Sequence, residues 1–103
     1  MSKIALIAKL TAAEGKSTEV EEVLRGVCAA ASEEDGLEIY AANSVDDEAG
    51  VYYFYEVYRD ADALAVHGKG DAMSVAMGAF KGLLAGRPEV TRLTPVAAKG
   101  IDL

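Results

Sequence analysis

Glu56, Tyr58 and His67 are the side chains of this sequence best suited to moving a proton. They fall within Phe54-Tyr55-Glu56-Val57-Tyr58-Arg59-Asp60, followed by Ala63-Leu64 and then His67, the only histidine. Imidazole titrates near neutrality, which makes it the natural proton shuttle under physiological conditions. His67 also precedes a Gly68-Lys69-Gly70 break, where a side chain can turn into a cleft. The structural alternative is a helix-end histidine that meets the last carbonyls of its helix.

Glu56 lies between Phe54 and Tyr58 at strand spacing. A carboxylate flanked by aromatic rings must be hydrogen-bonded, paired or protonated, and burial raises its pKa. It can orient His67 or act as an acid or base. Equally, it can hold the strand-to-helix connection through backbone donors or an arginine such as Arg59 or Arg92. Tyr52, Phe54 and Tyr58 form an aromatic wall for a flat substrate, or ordinary core packing. Asn43 is polar where Leu37, Ile39 and Ala41 on its face are apolar. It offers a hydrogen bond to a substrate oxygen, to a neighbouring strand or at a subunit seam. Met73, Met77 and Phe80 give a soft helix face that suits varied apolar ligands, with core packing as the usual role of such residues.

The elements that must position these residues follow from periodicity. Ile4 to Leu10 is an apolar run bounded by lysines and reads as a central strand. Ser17 or Thr18 is expected to cap a helix, with Thr18 and Glu21 as a capping box. Val20, Val23, Leu24, Val27, Cys28 and Ala31 form the apolar stripe of that helix, and Gly36 reads as its C-cap. Leu37 to Val45 is a second strand, 46–50 a polar hairpin connection, and Val51 to Arg59 a third strand. Asp60 is expected to cap a short helix ending at Val66. Asp71 begins another, closed by Gly86 and Pro88. Val90 to Ala98 reads as a last strand, with Pro95 at an edge or bulge.

The order is β-α-β-β-α-α-β: one domain over 1–103, an α+β fold of the ferredoxin-like type with one antiparallel sheet. Alternation puts Tyr52, Phe54, Glu56 and Tyr58 on one face of the third strand, and Tyr53, Tyr55 and Val57 on the other. Helices cover one face of such a sheet. The second aromatic face is expected to meet another copy of the sheet, which predicts a face-to-face homodimer.

Composition narrows the partners. A formal net charge of −7 disfavours nucleic acid and anionic membranes. No apolar run approaches the roughly 20 residues that span a bilayer. Cys28 is the sole cysteine, so no internal disulfide forms and a cytoplasmic location is expected. The sequence carries no dinucleotide fingerprint, phosphate-binding loop, nucleophile elbow or Cys-x-x-Cys pair. One histidine and one cysteine give no transition-metal cluster, so neither metal nor cofactor is expected. Asp46-Asp47-Glu48 lacks calcium-loop spacing and reads as a solvated turn.

The strand–Glu56–Tyr58–Asp60–Ala63-Leu64–His67 pattern resembles the antibiotic biosynthesis monooxygenase family. The Gly36-to-Tyr40 strand start and the closing Pro88-Glu89-Val90 extend the resemblance over most of the chain. It implies a dimeric α/β barrel and cofactor-independent oxidation of an electron-rich aromatic, a hydroquinone or a polyketide phenol. His67 would act as proton acceptor, Tyr58 as donor to a developing oxyanion and Glu56 as a positioning group. Many relatives carry a tryptophan where Tyr58 stands. The haem-degrading branch also uses an asparagine on its first strand, which is absent here. A small-ligand-binding module without catalysis and a non-oxidative lyase or isomerase are the rival expectations.

Overall fold

Residues 2–69, 74–75 and 78–103 are described by the computed structural model. β1 (Ile4–Thr11), α1 (Ser17–Ala31), β2 (Leu37–Val45), β3 (Glu48–Tyr58), α2 (Ala61–Lys69) and β4 (Glu89–Leu93) follow in chain order. The strands form one antiparallel sheet in the order β2-β3-β1-β4. This is the expected α+β ferredoxin-like arrangement. The start of the helix expected from Asp71 lies outside the described residues, as do Met73 and Met77. Ser74, Val75, Gly78 and Ala79 are helical.

β3 is central and hydrogen-bonded on both sides. Leu6, Ala8 and Leu10 of β1 stand opposite Glu56, Phe54 and Tyr52, while Tyr40 and Ala42 of β2 flank Glu56 and Phe54. Paired residues share a face, so these side chains build the inner, helix-covered side. Val20 and Leu24 of α1 are buried against it with Tyr52, Phe54 and Phe80. Each such apolar side chain contributes about 1.5–3 kcal/mol by leaving water. On the outer side Val57 is fully buried, but Tyr53 and Tyr55 remain 37% and 38% exposed.

Several local expectations change. α1 begins at Ser17, after Lys16, with no side-chain cap. Ser17 and Thr18 therefore lie inside the helix, and the capping box does not form. Gly36 is not the C-cap, because α1 ends at Ala31 and Ser32 occupies that position. A Cβ on Gly36 would sit 2.5 Å from Cβ of Ala63, so the glycine is there to admit α2 at close range. α2 continues through His67 to Lys69 and does not stop at Val66. The hairpin turn is only Asp46-Asp47, with a register shift between Ser44 and Val45. Gly82, at φ 80°, redirects the chain after Phe80, ahead of the expected Gly86 and Pro88. The segment then latches onto the end of β1 through Ala13 N–H to Leu83 O and Ala85 N–H to Thr11 O. β4 stops at Leu93, two residues before Pro95, whose missing N–H cannot extend the ladder.

The two glycines Gly26 and Gly36 should respond oppositely to a methyl group. At Gly26, inside α1, an added Cβ meets nothing within 4 Å among the described residues. Gly26→Ala should therefore stabilise the fold by about 0.5–1 kcal/mol. Gly36→Ala drives a methyl into Ala63 and should destabilise by about 1–3 kcal/mol. Urea unfolding of both variants checks the pair, and effects of the same sign would refute this packing.

Candidate functional site

A cavity of about 620 Å³ lies between the inner face of the sheet and the helices. Leu6, Ala8 and Phe54 form part of its strand wall, and Val27, Leu64 and Phe80 close it from the opposite side. The lining is mostly apolar. Its polar groups come from Tyr40, Glu56, Tyr58, His67 and Arg87.

Local capping sets the position of the imidazole. Asp60 Oδ1 accepts the Ala63 N–H at 2.9 Å, a first-turn cap worth roughly 1 kcal/mol. The Arg59 N–H donates to Gly36 O at 2.8 Å, pinning the strand end to the turn before β2. Leu64 and His67 are then one turn apart, on the helix face that meets the cavity.

His67 is only 8% exposed. Its Nδ1 sits 2.9 Å from both carboxylate oxygens of Glu34. Nε2 is buried and has no hydrogen-bond partner among the described residues. The rings of Tyr40 and Tyr58 flank the imidazole, with centroids 5.4 and 5.5 Å away. Tyr40 also stacks on Phe54 at 4.6 Å.

The Tyr58 hydroxyl donates to Glu56 Oε1 at 2.5 Å, inside the buried layer. Desolvation pushes the Glu56 carboxyl above the ordinary range. The Tyr58 hydrogen bond and nearby His67 pull it back in part, and Glu34 adds to the rise. Burial also pushes the phenols of Tyr40 and Tyr58 above their ordinary value, and for Tyr58 the hydrogen bond to Glu56 adds to it. Both phenols therefore keep their protons near neutral pH. Burial raises the Cys28 thiol as well, which disfavours a reactive thiolate. Among the described residues, no three His, Cys, Asp or Glu side chains gather in a way that could hold a metal ion. No helix among them is long and apolar enough to cross a membrane.

Of the residues singled out in the sequence, Phe54, Glu56, Tyr58, His67 and Phe80 meet around this cavity. Tyr52 and Asn43 do not. Both line a separate depression of about 290 Å³ beside Glu21 and Arg25. The Tyr52 hydroxyl donates to Glu21 Oε2 at 2.6 Å, tying β3 to α1. Asn43 Nδ2 donates to the carbonyls of Tyr53 and Ala41. Glu56 has no arginine partner among the described residues; Arg59 turns instead to Asp60, 3.5 Å away.

The profile of antibiotic biosynthesis monooxygenases matches residues 3–79. The chain belongs to this family. A solved structure proposed to be an antibiotic biosynthesis monooxygenase, from Caulobacter crescentus, is 31% identical. It superposes at a TM-score of 0.88, covering 93% of this chain and 92% of that one. A Pseudomonas aeruginosa protein is 26% identical at 0.86, covering 94% and 97%. A Nitrosomonas europaea protein of unknown function is 22% identical at 0.87, covering 99% and 97%, and shows the fold alone. No functionally curated protein matches the chain.

Within this member of the antibiotic biosynthesis monooxygenases, sequence reasoning missed two contacts of the histidine. Glu34 sits in the acidic run Glu33-Glu34-Asp35, which matches no motif that would single it out. Tyr40 reads as one more β-former in a strand. Only the register of β2 on β3 and the docking of α2 bring them to His67. The signal that was available is the Gly36-to-Asp60 span: a glycine beside an acidic run, preceding a strand that pairs with β3.

Glu56 makes stability depend on pH with a definite sign. Its folded carboxyl holds the proton more tightly than an unfolded glutamate, whose pKa is about 4.3. Between those two values the folded chain binds more protons, so stability falls as pH rises, and the full penalty remains above the folded value. Glu56→Gln is neutral throughout and can still accept from Tyr58. Its stability relative to the parent should therefore increase from about pH 4 to 7. Parallel thermal melts test this, and a gap independent of pH or of opposite slope would contradict it.

Proposed function

We propose that the chain is a cofactor-independent monooxygenase that oxidises an electron-rich aromatic, a hydroquinone or a polyketide phenol, with dioxygen. The observation that carries this reading is a buried imidazole whose Nε2 has no partner among the described residues, in the wall of an apolar cavity. A planar phenol fits such a lining, and an unpaired nitrogen lone pair is a cost that a substrate hydroxyl would relieve.

The chemistry balances without an added reductant. A phenol with an open para C–H reacts with dioxygen to give a para-quinone and water; a hydroquinone reacts in the same way at an open ring C–H ortho to a hydroxyl, giving a hydroxyquinone and water. The substrate loses four electrons; one oxygen atom becomes the new carbonyl and the other leaves as water. His67 Nε2 takes the phenolic proton. The electron-rich anion reduces dioxygen and forms a C–O bond at the para carbon, or at the open ortho carbon of a hydroquinone. The stored proton passes to the outer peroxide oxygen; Nε2 then takes the C–H proton as the O–O bond breaks and returns it to the departing hydroxide, which leaves as water. Nε2 presents almost no surface in this arrangement, so the Tyr40 or Tyr58 ring gives way as substrate binds. A neutral Glu56 can donate to the Tyr58 oxygen, which frees the Tyr58 proton for the substrate oxyanion.

The test is oxygen uptake across a panel of hydroquinones and naphthols. His67→Ala should lower turnover of the best substrate by roughly two to four orders of magnitude. Tyr58→Phe should lower it less, because the aromatic wall stays. Unchanged turnover in His67→Ala rejects the assignment. Ligand-induced stabilisation without turnover in the parent protein would support a binding module instead.

The working unit in this reading is a homodimer built sheet against sheet. Support comes from Tyr53 and Tyr55, large apolar side chains more than one-third exposed on the uncovered face. Light scattering at micromolar concentration should give twice the chain mass. Tyr53→Lys with Tyr55→Lys should shift it to one chain while the helical signal remains. A native monomer of the parent protein would exclude the dimer.

A further inference from the structure

We infer that Glu34 is the positioning residue of His67: it fixes the imidazole tautomer and stabilises the imidazolium that forms when Nε2 takes the proton from substrate. This rests on the proposed role of His67 for its consequence in turnover, but the geometry stands alone. Both Glu34 oxygens lie 2.9 Å from Nδ1. A carboxylate can only accept, so the neutral ring must carry its hydrogen on Nδ1. Nε2 is then left as a bare lone pair. That nitrogen is buried without a partner among the described residues, and the ring belongs to the cavity wall. The Nε2–H tautomer, usually the commoner one for free imidazole in water, would here lose the Glu34 bond and bury an unsatisfied donor.

The charged state follows the same geometry. When Nε2 accepts a proton, the imidazolium forms against a carboxylate already in contact, a charge-assisted pair with no rearrangement. The other groups around the ring are Tyr40 from β2 and Tyr58 and Glu56 from β3, with Arg87 elsewhere in the lining. None of them contacts Nδ1 within hydrogen-bond distance, so this function falls to Glu34. Glu34 also reaches the outside. Its side chain keeps about a quarter of its exposure and borders a surface depression with Glu33, Asp35 and Asp62. The pair thus spans from cavity wall to protein surface, and the buried site can exchange its proton with solvent between turnovers.

A single histidine makes the test direct. Long-range 1H–15N spectra of the labelled protein at about pH 9, where an ordinary imidazole is neutral, should show a pyridine-type Nε2 and a protonated Nδ1. Glu34→Ala should convert this to a mixture or to the Nε2–H form. Glu34→Gln, whose carbonyl can still accept from Nδ1, should keep the parent tautomer while losing the charge. With a turned-over phenol, Glu34→Ala should lower kcat by roughly ten- to a thousandfold with KM little changed, the mark of a group that acts in the transition state. An Nε2–H signal in the parent, or a spectrum unaltered in Glu34→Ala, overturns the inference. If the spectra behave as expected but no aromatic substrate consumes oxygen, the positioning role stands and the monooxygenase reading fails. Should Glu34→Ala not fold, Glu34→Gln and the parent spectrum still decide the tautomer.

Discussion

β3 is bonded along both of its edges, to β2 and to β1, and that double pairing dictates where each of its side chains points. With no free edge, the strand cannot slip by one residue without turning its own side chains over and losing register with both neighbours. Tyr52, Phe54, Glu56 and Tyr58 are thereby committed to the helix side. The same commitment places a carboxyl group in an apolar layer, where hydrophobic packing alone would not put it. The apolar core, the aromatic wall and the buried acid are one consequence of a single alternation.

The two glutamates beside the histidine show how environment separates like groups. Glu56 is enclosed and is held toward its neutral form by desolvation. Glu34 sits at the rim, partly wetted, against Nδ1. A carboxyl inclined to keep its proton and another placed to accept a hydrogen bond therefore bracket one imidazole. Acid and base roles are often divided in this way when environments differ. Family membership says which fold carries them. It does not choose a substrate, since sites and not folds carry activities.

The strand order, the inner face of β3 and the Asp60 cap were legible in the sequence because each rests on short-range periodicity or on a local hydrogen bond. The cluster of Glu56, Tyr58 and His67 was legible for the same reason: only a few residues separate its members. Glu34 was not, because its contact spans 33 positions and depends on α2 folding back over the turn before β2. Tyr52 and Asn43 were placed at the cavity on type and spacing. The hairpin end of the β2–β3 pair, which they occupy, faces Glu21 and Arg25 instead. The capping box failed since helix starts shift by a residue or two at little cost, and Glu21 found a stronger partner in Tyr52.

Gly36 joins these threads mechanically. Its missing side chain lets α2 rest against the turn that also carries Glu34, so the imidazole and its carboxylate ride on opposite sides of one contact. The spacing between them is set by the thickness of a backbone. A substitution or a one-residue insertion there would move helix and turn apart together, detuning the histidine from outside the cavity without altering any residue that lines it. In a protein-engineering setting, this makes the turn a poor place for loop grafts and a useful place for graded control of the site's geometry.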